Sequence, residues 1–174
     1  MAFFYFDLAA QKKQSAASIL GTLLRQVVGD FREIPKEVRG AFQRHKKAVG
    51  GRRLQLPEIV KLLGKLSSKR RTFLCLDGLD ECAAVERTKI LLSLEDIIKM
   101  SPATRVFLTG RLHMAGEVGK HLPGGATLVS ISLRKDEVIR YIREKLVQDP
   151  TPEAMDEGLE TEIIKKIPET VSEM

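Results

Sequence analysis

Short runs of apolar residues recur along the chain, separated by stretches in which apolar positions return every three or four residues. The runs are Ala2-Phe3-Phe4-Tyr5-Phe6, Thr72-Phe73-Leu74-Cys75-Leu76, Arg105-Val106-Phe107-Leu108-Thr109 and Ala126 to Leu133. They lack the strict alternation of a strand with one wet face. Strands covered on both sides, as in a parallel sheet, read this way. The pattern predicts strands near residues 2–7, 72–77, 104–109 and 127–132.

Between the runs, Ile19, Leu20, Leu23, Leu24, Val27 and Val28 fall on one face at the 3.6-residue period, and Gly29-Asp30 closes that helix. A second helix follows Pro57 with Ile59, Val60, Leu62, Leu63 and Leu66 inward. A third, from about Val85 to Met100, turns Ile90, Leu91, Leu94, Ile97 and Ile98 inward. Two more are expected around Lys135 to Val147 and Asp156 to Ile167, with a break at Asp149-Pro150-Thr151-Pro152. Phe31 to Arg53 gives a poor signal: Pro35, Gly40, Gly50 and Gly51 punctuate a basic stretch of loop or short helix. Alternating strands and helices imply an α/β fold, three layers deep (α/β/α), around a mainly parallel sheet.

Chemistry concentrates at the end of the second run. A buried strand delivers Asp77, and Asp80-Glu81 follow after Gly78-Leu79. In an open parallel sheet, ligands bind beyond the carboxyl ends of the strands. A carboxylate held there can orient hydrated Mg²⁺, the Walker B role in P-loop NTPases, while the acidic pair can polarise an attacking water. The plainer reading is an acidic turn leading into a helix, with Asp80 or Glu81 near its N-terminus. The third run ends in Thr109-Gly110-Arg111, a hydroxyl and a guanidinium able to sense a γ-phosphate, or a Gly turn with a surface Arg. One crossover helix fits between the two runs.

The strings Phe4-Tyr5-Phe6-Asp7, Gln14-Ser15-Ala16, Leu76-Asp77-Gly78-Leu79-Asp80-Glu81-Cys82, Leu108-Thr109-Gly110-Arg111, Asp136 to Ile142 and Ile163 to Pro168 carry a resemblance. The chain resembles the NACHT/STAND class of signalling P-loop NTPases, in its fungal nephrocystin-like form, often found upstream of ankyrin repeats. The resemblance implies a partial NTPase core over 1–148 and the start of a helical region over 149–174. It implies an intracellular, cytoplasmic nucleotide switch using ATP and Mg²⁺, with Asp77 as the metal carboxylate. By the same resemblance Asp80 and Glu81 are the hydrolytic pair, and Thr109 and Arg111 the nucleotide-sensing residues. The implied partners are other NACHT chains, the remaining parts of a parent protein and a C-terminal repeat domain.

Two departures qualify that picture. The family usually shows Thr-Ser-Arg where this chain has Thr109-Gly110-Arg111. No G-x-x-x-x-G-K-[ST] string occurs anywhere; Gly64-Lys65 and Gly119-Lys120 lack both the upstream Gly and the following Ser/Thr. The Walker A strand, which the resemblance puts at the centre of the sheet, is therefore expected to be missing. The expectation is a truncated reading frame, a degenerate paralogue or a shortened chain that holds ATP·Mg²⁺ weakly at best.

Charge changes the picture little. The net charge of +6 hides a basic first part: residues 1–75 carry 16 Lys/Arg against 5 Asp/Glu. The clusters Arg44-His45-Lys46-Lys47, Arg52-Arg53 and Lys69-Arg70-Arg71 could meet a polyanion, but no aromatic residues interleave with them to stack bases. A solvated helix face or loop is the expectation, and a basic nucleic-acid-binding domain ranks behind a non-catalytic interaction module. Two cysteines, Cys75 and Cys82, fit neither a zinc pattern nor a C-x-x-C pair. No apolar run is long enough to span a bilayer.

Overall fold

The computed structural model describes residues 1–47, 53–122, 126–131, 134–148 and 156–172. Contacts divide the chain into two compact units, Met1–Leu128 and Val129–Met174.

In the first unit, strands β1 (Ala2–Tyr5), β2 (Thr72–Asp77) and β3 (Thr104–Leu108) form one parallel sheet in the order β1-β2-β3. Phe4, Leu76 and Leu108 stand side by side in the register. Parallel neighbours need long crossovers. The first crossover is α1 (Ala16–Gly29), α2 (Lys36–Lys47) and α3 (Leu56–Ser67); the second is α4 (Ala84–Met100). A short helix, α5 (Ala115–His121), follows β3.

Local chemistry sets the helix ends. Ser15 caps α1 by accepting from the Ser18 N–H. Gln55 and Glu58 form a capping box at α3, with Pro57 in the first turn. The first N–H of α1, on Ala16, donates to a Glu86 carboxylate oxygen at 2.6 Å, so α4 caps α1 across the core. Lys89 also pairs with Glu86, and these two donors hold its carboxyl below the usual range.

The core is made by Ile19, Leu20 and Leu23 of α1, Leu63 and Leu66 of α3, Leu74 and Leu76 of β2, and Ile90, Leu91, Leu94 and Ile97 of α4. Ala2, Leu74 and Leu76 are buried beneath these helices, whereas the opposite sheet face carries Phe3, Tyr5 and Phe107, 45%, 64% and 64% exposed. The α/β class and the parallel sheet match the sequence reading. The third layer does not appear among the described residues: the sheet is covered on one face only.

The expected fourth strand is also absent among the described residues. Ala126 to Ile131 form no ladder, and Leu128, Val129 and Ile131 are 67–91% exposed. An apolar run becomes a strand only with a partner for its backbone groups. Among the described residues β3 pairs on one side only, with β2. The sequence left α2 unresolved because, among its described side chains, Val38 and Ala41 alone are buried, a narrow stripe among charged residues.

The second unit contains α6 (Lys135–Val147) and α7 (Glu157–Ser172), with Ile142 buried. Asp156 starts α7 by accepting from the Leu159 N–H at 2.7 Å. The helix runs past the expected end at Ile167 and through Pro168. Residues 132–133 of the expected fourth strand, Gly50 to Arg52, Pro123 to Gly125, the break at 149–152 and Glu173-Met174 lie outside the described residues. No helix among those described is long and apolar enough to cross a membrane.

Candidate functional site

Because the three strands are parallel, their carboxyl ends share one edge of the sheet. β2 ends at Asp77, and Gly78 follows with φ 78° and ψ 39°. That left-handed conformation is where a side chain is disfavoured, which accounts for the glycine. The turn leads into a short 3₁₀ segment, Leu79–Glu81, with Leu79 buried as its anchor.

Thr109, just past β3, ties this turn down. Its N–H donates to the Leu76 carbonyl at 3.0 Å, and its own carbonyl accepts from the Leu79 N–H at 2.9 Å. Its hydroxyl accepts from the Gly78 N–H at 2.9 Å and donates to Asp77 Oδ1 at 2.5 Å. Arg111 reaches Asp80 twice, through its backbone N–H at 3.3 Å and its Nε at 3.2 Å. Asp80 is 13% exposed in its side chain and Arg111 81%. A Cβ on Gly110 would stand 3.4 Å from Asp80 Oδ1, so a side chain there fits only at contact distance.

Glu81 faces the first strand instead. Its Oε2 accepts from the Leu8 N–H at 3.0 Å, and its carbonyl accepts from Gln11 Nε2 at 2.8 Å. Asp7 caps the 3₁₀ segment Leu8–Lys13 by accepting from the Ala9 N–H at 2.8 Å. All five sequence-predicted residues thus lie at one sheet edge: Asp77 with Thr109, Asp80 with Arg111, and Glu81 against the chain leaving β1. Asp7, Leu8 and Gln11 were not foreseen as members of this edge. Only the Asp7-x-Ala9 cap had a local signal, since Glu81 lies 73 residues from Leu8.

Mg²⁺ takes near-octahedral oxygen ligation from a carboxylate or two, phosphates and water. Asp80 is committed to Arg111 and Glu81 to the Leu8 N–H, and no three His, Cys, Asp or Glu among the described residues are grouped to hold a metal. These residues alone do not fit a Mg²⁺ site; Asp77 offers one carboxylate, already hydrogen-bonded to Thr109.

Cys82, just past the turn, and the basic residues that precede β2 at its amino end serve the fold. Cys82 is buried and its thiol is pushed up to about 11 by desolvation. Arg70, from a basic cluster, donates to the Val27 and Asp30 carbonyls at the end of α1, pairs with Asp30 and lies over the Phe31 ring at 4.2 Å. Lys69 pairs with Glu37 at 2.7 Å.

Four hydrogen bonds make Thr109 the tie between the two strand tips. Thr109→Val keeps the shape but leaves the Gly78 N–H and the Asp77 oxygen to water. We expect a loss of about 1–2 kcal/mol in urea unfolding, since both bonds are open to solvent. Thr109→Ser, which keeps the hydroxyl, should recover most of it.

No curated protein and no solved structure shows a significant match to this chain. The family model described as nephrocystin 3, N-terminal, matches residues 1–111, which contain the whole sheet and every residue of the strand-tip site. The chain therefore belongs to the nephrocystin 3 N-terminal family.

Proposed function

We propose that the chain is the Walker B and sensor portion of a NACHT-type nucleotide switch, working with a phosphate-binding segment that these 174 residues do not contain. The observation that carries this reading is the coupling of two adjacent strand tips, Asp77 with Thr109 and Asp80 with Arg111. A strand-end carboxylate linked to a hydroxyl and a guanidinium on the next strand is an arrangement suited to relaying the state of a γ-phosphate. In this reading Asp77 would supply one carboxylate to a nucleotide-bound Mg²⁺, whose other ligands would be phosphate and water. Asp80 and Arg111 form a latch that opens when Arg111 turns to phosphate, freeing Asp80 to act with Glu81 on water. Partners in this reading are the phosphate-binding part of a parent protein and other NACHT chains.

The test is titration calorimetry with ATP·Mg²⁺ beside a phosphate-release assay, on the chain and on Asp80→Ala/Glu81→Ala. Catalysis of phosphoryl transfer is mostly positioning and charge stabilisation, and the Walker A amides and Lys supply a large share of both. The acidic edge also repels a polyanion. We expect no binding tighter than about millimolar and no turnover, a free-energy gap of roughly 4 kcal/mol from micromolar binding. Micromolar binding, or turnover lost in the double variant, would overturn the need for a separate phosphate cradle. In a longer protein that binds ATP, an unchanged nucleotide response in Asp77→Asn would overturn the switch itself.

A second reading, a non-catalytic interaction module, is favoured by the bare sheet face. Parallel sheets are covered on both sides, and Phe3, Tyr5 and Phe107 are exposed on one side of this sheet. Binding of a fluorescent apolar dye that falls in Phe107→Ser would support this reading; no dye binding would end it.

A further inference from the structure

Away from the strand tips, α1, α2 and α3 enclose an open apolar groove of about 1030 Å³. Its walls and floor include Leu24, Val28, Val38, Phe42, Leu54 and Ile59, and Phe42 is 60% exposed. Small residues keep it deep: a Cβ added to Gly21 would find only Ile59 Cδ1, at 3.8 Å. Arg25, Arg39 and Arg53 also line it, and among the described residues no Asp or Glu does. None of the three guanidiniums has an ion-pair partner among the described residues, whereas Arg70 and Lys69, just outside, are both paired.

We propose that this groove docks an amphipathic helix of a partner protein, apolar on one face and acidic along its flanks. Two observations choose that occupant. The volume is at the upper end of small-ligand sites and takes several side chains at once, as when a helix lays spaced apolar anchors into a groove. A single fatty-acid carboxylate would engage one guanidinium and leave two idle; three cations on three different segments match a series of carboxylates along a helix. No residue of the groove belongs to the strand-tip site, so the docking stands or falls independently of nucleotide chemistry.

The test titrates the full chain, by fluorescence anisotropy, against a panel of dye-labelled helical peptides about 18 residues long, with Leu at helical spacing and Glu on the flanks. A matched panel carries Lys for Glu, and palmitate serves as a competing amphiphile. We expect acidic peptides to bind at micromolar Kd and to weaken about tenfold or more on raising salt from roughly 50 to 500 mM. Gly21→Leu fills the groove while improving helix propensity, so it should abolish binding with circular dichroism unchanged. Arg25→Glu/Arg39→Glu/Arg53→Glu should weaken it at least about tenfold. The proposal is overturned if no acidic peptide binds or if the Lys panel binds equally. It is also overturned if palmitate binds tightly and indifferently to the triple charge reversal, or if the groove proves to be a self-contact, seen as a dimer that Gly21→Leu dissolves.

Discussion

Gly64→Ala should destabilise the protein by about 1–3 kcal/mol, although alanine is worth roughly 1 kcal/mol more than glycine inside a helix. Gly64 lies in α3 where that helix meets the end of α4. A Cβ there would stand 2.6 Å from Met100 Cε, 3.0 Å from its sulfur and 3.0 Å from its Cβ. The methyl end of Met100 can swing away; its Cβ is fixed to α4 and cannot. Overpacking of that kind moves backbone, so the propensity gain is outweighed. Equilibrium denaturation would measure it, with Gly21→Ala as the control, since its added Cβ makes only one ordinary contact, at 3.8 Å. A stabilised Gly64→Ala would show that α3 and α4 are not held at the distance described. The contact bears on the site because α3 leads into β2 and α4 carries the chain from β2 to β3. A shift between them moves the tips bearing Asp77 and Arg111 relative to one another.

Gly64 also shows where sequence reading stops. In the sequence it is a glycine inside a well-patterned helix, next to Lys65, and its visible significance was that it failed as part of a phosphate-binding motif. Its reason is Met100, a neighbour no local pattern names. The same division runs through the molecule. β1, β2, β3, α1, α3 and α4 were legible because each buries a stripe or run long enough to set a period. The five strand-tip residues were legible as a group because rigid strands deliver them to one edge. Their pairing was not: that Asp80 takes Arg111, while Glu81 takes the Leu8 N–H, depends on how loops from three strands meet. The run from Ala126 failed in the opposite way, since its apolar pattern is real and no strand pairs with it among the described residues. Glu86 capping α1 had no sequence signal, because the N–H it satisfies lies 70 residues earlier.

The two cysteines should differ in reactivity by about a hundredfold or more. Cys82 is buried at 2% exposure with its thiol pushed up to about 11, from an ordinary value near 9. At pH 8 that shift alone cuts its thiolate about a hundredfold, and burial slows the reagent further. Cys75 is half-buried on the bare sheet face, beside Phe3 and Phe107 in the register. A disulfide reagent with single-cysteine variants should therefore label Cys75 quickly and Cys82 slowly. The sign of the pH effect follows from the same shift. A thiol whose folded value is raised favours the folded state fully below about pH 9, and that contribution fades as pH climbs towards about 11. Wild type should lose roughly 2–3 kcal/mol relative to Cys82→Ala across that window. Equal labelling rates would mean that Leu79 and Cys82 do not seal the turn after β2, and the strand-tip geometry would lose its anchor. Cys75 carries the functional half of the measurement. If the aromatic face is a docking surface, a bound partner or self-association must slow Cys75 labelling while leaving Cys82 unchanged. If the face stays bare, Cys75 remains fast at every protein concentration, and the interaction-module reading falls with it.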